Sequence, residues 1–147
     1  NQPGESFVKL FTDPGSVQKR EQQNLEDAQR ILEDFEIDHL ATQPATKISG
    51  GQLKLVELAR AMLAEPEILL LDEPAAGVNP TLRKKLEEQI QRLNREGTTF
   101  LIIEHDMEFV MSLADPIIVL DRGSVLMEGS PEEVQNDERV IDAYLGG

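Results

Sequence analysis

The 147-residue sequence contains no cysteine, and it is poor in positive charge. Without cysteine, neither a disulfide framework nor a thiolate metal site can form. Lysine and arginine number 14 against 28 acidic residues, for a formal net charge of −14. Because a nucleic-acid-binding face needs clustered cations, we expect no nucleic-acid partner. Long apolar runs are also absent, and none approaches the roughly 20 residues that a membrane-spanning helix needs.

The residues that are present predict three regions: an irregular lead-in over 1–20, a helical subdomain over 21–65 and an α/β region over 66–147. Apolar residues three and four positions apart predict two amphipathic helices in the subdomain. In the first helix, over residues 21–36, they are Leu25, Ala28, Ile31, Leu32 and Phe35. In the second helix, which begins at a Ser49 cap and continues to about Glu65, they are Leu53, Val56, Ala59, Ala61, Met62 and Leu63.

The α/β region contains two continuous apolar runs, Ile68 to Leu71 and Thr98 to Ile103, which are typical of strands buried on both faces of a parallel sheet. Between them, Asn79 and Pro80 form a helix start. Strand, helix and strand in this order predict a parallel crossover. Further along the chain, Asp121-Arg122-Gly123 predicts a β-hairpin turn, and Ser130 opens a capping box.

Three groups of polar residues indicate phosphate chemistry. Ser49, Gly50 and Gly51 open a helix, whose N-terminal amides and dipole suit a phosphate, although an ordinary capped helix would have the same pattern. Asp72 and Glu73 follow a predicted parallel strand, where Asp72 could hold Mg²⁺ and Glu73 could activate a water, or both could be merely solvated. His105 ends the next strand and should emerge at the same sheet edge, where it could contact a phosphate or be only a packed or capping residue.

In this order, the motifs resemble the nucleotide-binding domain of ABC ATPases. Ile48 to Gln52 resembles the signature motif, Ile68 to Glu73 resembles Walker B with its catalytic glutamate, and Ala76 to Asn79 resembles the D-loop. His105 resembles the switch histidine. The resemblance implies an α/β fold of the P-loop NTPase class that is incomplete here: the helical signature subdomain with the C-terminal half of the parallel-sheet core.

The resemblance also implies a set of functional residues and partners. The implied catalytic residues are Glu73 and His105, the metal ligand is Asp72, and the nucleotide-binding residues are Ser49, Gly50, Gly51, Gln52 and Asn79. The cofactors are ATP and Mg²⁺, and the partners are a second nucleotide-binding subunit and membrane permease subunits. Such a protein is cytoplasmic and peripheral at the inner face of the membrane. The narrower resemblance is to the ATP-binding subunits of branched-chain amino acid importers, and it rests on Ala75 to Pro80, Ile103 to Met107 and Val140 to Gly146.

The family's phosphate loop is missing, since no G-x-x-x-x-G-K-[ST] motif occurs in the sequence. In the family this loop, the N-terminal strands, the base-stacking aromatic and the glutamine loop would all precede Asn1. We therefore do not expect hydrolysis by this chain alone. We also expect self-association through a sheet edge that the missing strands would leave exposed. Two alternatives remain: a non-catalytic docking or regulatory module derived from an ABC ATPase, and a fragment of a non-transport ABC ATPase.

Overall fold

A computed structural model describes residues 14–145, so residues 1–13 of the predicted lead-in lie outside the described residues. The chain divides into two compact units, Asn1–Pro66 and Glu67–Gly147. The first unit is helical, and the second combines strands with helices. In residues 14–145, no helix is both long and apolar enough to cross a membrane.

The first unit is built on two α-helices, α1 (Pro14–Asp34) and α2 (Gly50–Met62). Two short 3-10 helices, Asp38–Leu40 and Ala45–Lys47, lie between them in the chain. Helix α1 packs against α2 and against the first 3-10 helix. The most buried apolar side chains of this unit are Val17, Phe35, Ile37, Leu40, Leu55, Leu58 and Ala59.

Helix α1 differs from its prediction at its start and in its apolar face. It begins at Pro14, so that residues 14–20 are helical and not part of an irregular lead-in. Val17 is buried within this added segment, whereas Leu25 is 66% exposed. The helix therefore extends over polar residues that the periodic pattern did not include, because helix continuation needs compatible residues and not an apolar stripe.

Helix α2 buries a different face from the predicted one. Its buried residues are Gly51, Leu55, Leu58 and Ala59, which follow helical spacing from the first turn onward. Leu53 and Leu63 were predicted to be buried, and each is 45% exposed. The helix also ends at Met62 and not near Glu65. An apolar-rich helix offers more than one stripe, and the packing against α1 selects which of them is buried.

The second unit opens with a strand–helix–strand arrangement, in which β1 (Ile68–Asp72) pairs in parallel with β2 (Thr99–Ile103). Helix α3 (Pro80–Arg95) connects them and starts at the predicted cap, where the Asn79 side chain accepts the N–H of Leu82. Helix α3 packs against β2 and against α4 (Met107–Leu113), which follows β2. The buried side chains of the two helices are Leu86, Ile90, Leu93 and Phe109.

The second unit ends with a hairpin and two helices. Strands β3 (Ile117–Asp121) and β4 (Ser124–Gly129) are antiparallel, with Arg122 and Gly123 at φ 47° and 79° in the predicted turn. The capping box at Ser130 starts α5 (Pro131–Asn136), and α6 (Glu138–Leu145) follows it. Their shared core consists of Ile117, Val119, Val134 and Val140.

Strand β1 was predicted to be buried on both faces, and this is wrong for the described part of the chain. Ile68 and Leu70 are 61% and 68% exposed. The parallel register places Leu101 beside Leu70, and Leu101 and Ile103 are exposed as well. Leu69 and Leu71, on the opposite face, are half-buried. An apolar run specifies a strand that can be covered on both sides, but it does not supply the covering layer. Self-association through this sheet stays a prediction.

The start of α6 gives a pH-dependent prediction. The Arg139 guanidinium hydrogen-bonds the Asp137 carboxylate and lowers the pKa of Asp137 from its ordinary 3.8 to about 2. A carboxyl whose pKa is lower in the folded state stabilises the fold above its unfolded pKa, and this stabilisation disappears as the pH falls through the folded pKa. We expect Asp137→Asn to lower the urea midpoint at about pH 5 and above, with most of that difference from wild type gone at about pH 2.

Asp142→Asn provides the matched control, because Asp142 is an exposed aspartate on α6, the helix that Asp137 directly precedes. Urea unfolding at a series of pH values measures both variants. If the Asp137→Asn and wild-type midpoints stayed parallel from neutral pH to pH 2, the ion pair with Arg139 would not be the source of the pH dependence.

Candidate functional site

The carboxyl ends of β1 and β2 bring two loops to one edge of the parallel sheet. Asp72 is the last residue of β1 and lies in register with Ile103, the last residue of β2. Glu73 continues the ladder by one bond, since its N–H donates to the Ile103 carbonyl at 2.9 Å. The residues that follow each strand therefore leave from the same edge, which is where open α/β sheets usually bind ligands.

The side chains of Glu73 and His105 meet at this edge. The Glu73 Oε1 atom lies 3.4 Å from the His105 Nδ1 atom, and the two side chains are 54% and 71% exposed. Glu73 has φ 45°, a left-handed conformation that is uncommon for a residue with a side chain and is often found at functional sites. The shared edge predicted for Asp72, Glu73 and His105 is thus present, and Glu73 and His105 are within reach of solvent and of a ligand.

A third carboxylate, Glu104, lies beneath this pair. Its side chain is 1% exposed, and its Oε2 atom is 3.7 Å from His105 Nδ1. The Oε1 atom accepts the N–H of Ala75 at 2.9 Å, while Oε2 accepts the N–H groups of His105 at 3.1 Å and Asp106 at 3.4 Å. The sequence interpretation gave Glu104 no role. The available signal was a charged residue placed directly between an apolar strand and a candidate functional histidine.

A salt bridge joins the helices that follow the two loops. Arg83, in the first turn of α3, donates to both carboxylate oxygens of Asp106, at 2.6 Å and 3.2 Å. Asp106 is also the N-cap of α4, where it accepts the N–H of Phe109. The Arg83 guanidinium lies 5.6 Å from the centre of the buried Phe109 ring, a cation–π distance.

The surroundings of Arg83 stabilise its positive charge. Partial burial alone would lower the pKa of Arg83, but the hydrogen bond to Glu87 and the charges of Asp106 and Glu108 outweigh it and raise the pKa. A planar guanidinium that bonds both oxygens of one carboxylate has a defined orientation as well as a favourable energy. The starts of α3 and α4 are therefore fixed to each other by a directional contact.

Asn79 lies at the start of α3, where its side chain has a structural task. The Oδ1 atom accepts the Leu82 N–H at 3.0 Å, which leaves the Nδ2 amide as the group available to a ligand. Two residues earlier, Gly77 has φ 70°, and a Cβ atom there would meet no atom within 4 Å. The turn before α3 is thus an open surface loop that requires a left-handed residue.

In the first unit, the predicted phosphate-binding residues form the start of α2. The Ser49 Oγ atom accepts the Gln52 N–H at 3.3 Å, and the Gln52 side chain accepts the Ser49 N–H at 3.0 Å, so both sides of a capping box are present. Ser49 and Gly50 are exposed, whereas Gly51 is buried. A Cβ atom at Gly50 would meet no atom within 4 Å. This surface can therefore admit a bulky anion near the first helical turn.

The residues of the second unit fit one metal contact but not a complete metal site. Among residues 14–145, no cluster of three or more His, Cys, Asp or Glu side chains could hold a metal ion. Magnesium, however, is usually bound by one or two carboxylates together with waters and substrate phosphates. The exposed carboxylate of Asp72, at the end of β1, suits that mode of binding.

Comparison with known proteins identifies the class to which these features belong. The ABC transporter family model matches residues 5–76, which include α2 with its capped start and strand β1 with Asp72 and Glu73. A solved nucleotide-free ATP-binding cassette from an ABC transporter is similar to this chain with a TM-score of 0.78 and 36% identity, covering 99% of this chain and 58% of that one. The chain belongs to the family of ABC transporter ATP-binding cassettes.

Within that family, several similar proteins are named as ATP-binding proteins of branched-chain amino acid transport. A model for the branched-chain amino acid ATP-binding cassette transporter matches residues 124–147. The chain is 44% identical over 128 residues to a probable branched-chain amino acid transport ATP-binding protein LivG of Archaeoglobus fulgidus, covering 87% of this chain and 50% of the relative. It is 43% identical over 141 residues to the high-affinity branched-chain amino acid transport ATP-binding protein LivG of Salmonella typhimurium, covering 95% of this chain and 55% of the relative. The chain therefore spans about half the length of these relatives.

Proposed function

We propose that this chain supplies the signature helix and the catalytic sheet edge of an importer's ATP-binding subunit, and that ATP hydrolysis by this subunit drives uptake of branched-chain amino acids. The observation that carries the proposal is the 3.4 Å approach of Glu73 to His105 at the carboxyl end of two parallel strands. Similarity to proteins named for branched-chain amino acid transport supports the choice of substrate.

Three side chains of the second unit take separate roles in this proposal. Glu73 orients a water molecule and accepts its proton as the water attacks the γ-phosphate of ATP. His105 contacts a γ-phosphate oxygen through Nε2, since its Nδ1 atom faces the carboxylates. Asp72 holds Mg²⁺, which when bound neutralises charge on the phosphate oxygens. Each group is exposed at the sheet edge, as contact with a large anionic substrate requires.

The signature segment acts on the nucleotide of a second subunit. Ser49, Gly50, Gly51 and Gln52 form the start of α2, where amide groups and the helix dipole favour a phosphate. In the proposed assembly, this segment and Asn79 cap ATP that is held by the phosphate loop of the partner. Membrane permease subunits complete the importer and hold the ATP-binding subunits at the cytoplasmic face of the membrane.

An uptake assay tests the proposal. The protein used is the full-length subunit, meaning this chain together with the phosphate-loop half that the family resemblance implies. In cells that lack the ATP-binding subunit of their own branched-chain amino acid importer and also produce the matching permease, we expect the full-length subunit to restore uptake of radiolabelled leucine. We expect His105→Ala to abolish that uptake at unchanged protein level, because it removes the contact to the γ-phosphate.

The control substrate is a basic amino acid such as arginine, whose uptake should not change. Equal uptake of leucine by the wild-type and His105→Ala subunits would contradict the assigned site. The assembly could also hydrolyse ATP in a His105-dependent way and yet take up no branched-chain amino acid. That result would contradict the proposed transport role while leaving the site assignment in place.

A further inference from the structure

The buried carboxylate of Glu104 joins the two loops that carry Glu73 and His105. One oxygen accepts the N–H of Ala75, two residues after Glu73, at 2.9 Å. The other accepts the N–H of His105 at 3.1 Å and that of Asp106 at 3.4 Å. A single side chain with 1% exposure thus contacts the backbone on both sides of the candidate site.

Burying a carboxylate is energetically unfavourable, so a buried carboxylate indicates a specific structural role. Removing an ionised group from water is unfavourable unless hydrogen bonds replace the lost hydration. Glu104 meets this condition with three backbone N–H donors. Hydrogen bonds to an ionised acceptor are stronger than those between neutral groups. An apolar side chain could fill the same volume, but it could not fix the two loops to each other through directional bonds.

We propose that Glu104 is a positioning residue that sets the distance between Glu73 and His105, an inference that rests on the proposed function. Its hydrogen bonds hold the Ala75 amide, and with it the Glu73 loop, against the backbone of His105. Its Oε2 atom, 3.7 Å from His105 Nδ1, also keeps that nitrogen turned towards the carboxylates and leaves Nε2 for the substrate. Glu104 itself does not touch the reacting atoms.

The Arg83–Asp106 contact supports the same interpretation independently. It connects the helix after the Glu73 loop to the residue next to His105, with a bidentate geometry at 2.6 Å and 3.2 Å. The two loops are therefore connected at both ends, by Glu104 near the strands and by Arg83 near the helices. Positioning of this kind matters because a shift of about 1 Å in a catalytic group can lower the rate about 100-fold.

Glu104→Gln in the full-length subunit tests the proposal. Glutamine has the same size, but its NH₂ group must face at least one of the backbone N–H donors, so one of the two loop contacts is lost. We expect kcat for ATP hydrolysis to fall about 10- to 100-fold, with KM for ATP changed less than about threefold, because binding groups remain in place. Glu104→Asp keeps the charge on a side chain one methylene shorter, and it should recover part of the lost kcat.

The matched control is Glu133→Gln, since Glu133 is a carboxylate that likewise accepts a backbone N–H, from Ser130 at 2.8 Å, in the capping box of α5. It should leave kcat unchanged even where it lowers the unfolding temperature. If Glu104→Gln fails to fold, Glu104→Asp is compared with Glu133→Asp, and a lower kcat for Glu104→Asp alone is the expected result.

Two outcomes separate this proposal from the function on which it rests. If His105→Ala abolishes hydrolysis while the Glu104 variants keep wild-type kcat, the positioning role is wrong and the catalytic assignment stands. If His105→Ala leaves hydrolysis unchanged, the proposed function fails, whatever the Glu104 variants do. A rise in KM for ATP with unchanged kcat in Glu104→Gln would also overturn the positioning role, because it would place Glu104 in nucleotide binding.

Discussion

Glu73→Gln in the full-length subunit is expected to lower the rate of ATP hydrolysis by about 10²- to 10⁴-fold and to leave the affinity for ATP unchanged. Glutamine keeps the size of the side chain and can still hydrogen-bond a water, but it cannot accept the proton of that water. Glu73 is exposed and lies 3.4 Å from His105, so its carboxylate is accessible to a water molecule at the sheet edge. Phosphate release measures the rate, and fluorescent ATP measures the affinity.

Glu67→Gln is the control for this variant, because Glu67 is an exposed glutamate that precedes β1 in the chain. The same change of charge and shape there should leave hydrolysis at the wild-type rate. A Glu73→Gln subunit that kept more than about a tenth of the wild-type rate would show that another group accepts the proton. A matching loss of ATP affinity would indicate a role in binding instead.

Local sequence signals predicted several elements of the fold correctly. The Asn79–Pro80 pair starts α3, and the capping box at Ser130 starts α5. The turn at Arg122 and Gly123 adopts the positive φ values that a tight hairpin needs. Each of these features depends on hydrogen bonds or backbone angles within a few residues, so the sequence alone contains the information that determines it.

Burial was predicted less well, because it depends on what packs against each element. Leu25 and Leu53 are in helical stripes but are exposed, and Leu55 and Leu58 are buried although the predicted face left them out. The sheet shows the same limit, since Ile68 and Leu70 belong to an apolar run but have one face exposed in the described part of the chain. Periodicity shows which residues share a face, whereas the neighbouring elements decide which face is covered.

The candidate site was predicted in part for a geometric reason. The residues that follow two parallel strands in register must lie at the same edge of the sheet, so Glu73 and His105 could be expected to meet. Glu104 could not be predicted in the same way. Its near-complete burial follows from the return of the Ala75 amide to the β2 loop, a tertiary contact between residues 29 positions apart. No pattern of neighbouring residues specifies that contact.

The second prediction with a large effect concerns the phosphate loop. The 147-residue sequence contains no G-x-x-x-x-G-K-[ST] motif. Phosphoryl transfer depends on the positioning and charge neutralisation that such a loop and its lysine supply. Glu73, His105 and Asp72 cannot replace it, because none of them is a fixed cation or an array of backbone amides. We therefore expect this chain alone to show no ATP hydrolysis above background, and we expect activity when the phosphate-loop half is added.

Phosphate release with Mg·ATP is the measurement that tests the central claim most directly, on three samples: this chain, a separately purified phosphate-loop half, and their mixture. The account predicts background rates for each part alone and clear hydrolysis by the mixture, which Glu73→Gln in this chain reduces by about 100-fold or more. Robust Mg²⁺-dependent hydrolysis by this chain alone, unaffected by Glu73→Gln, would contradict the account.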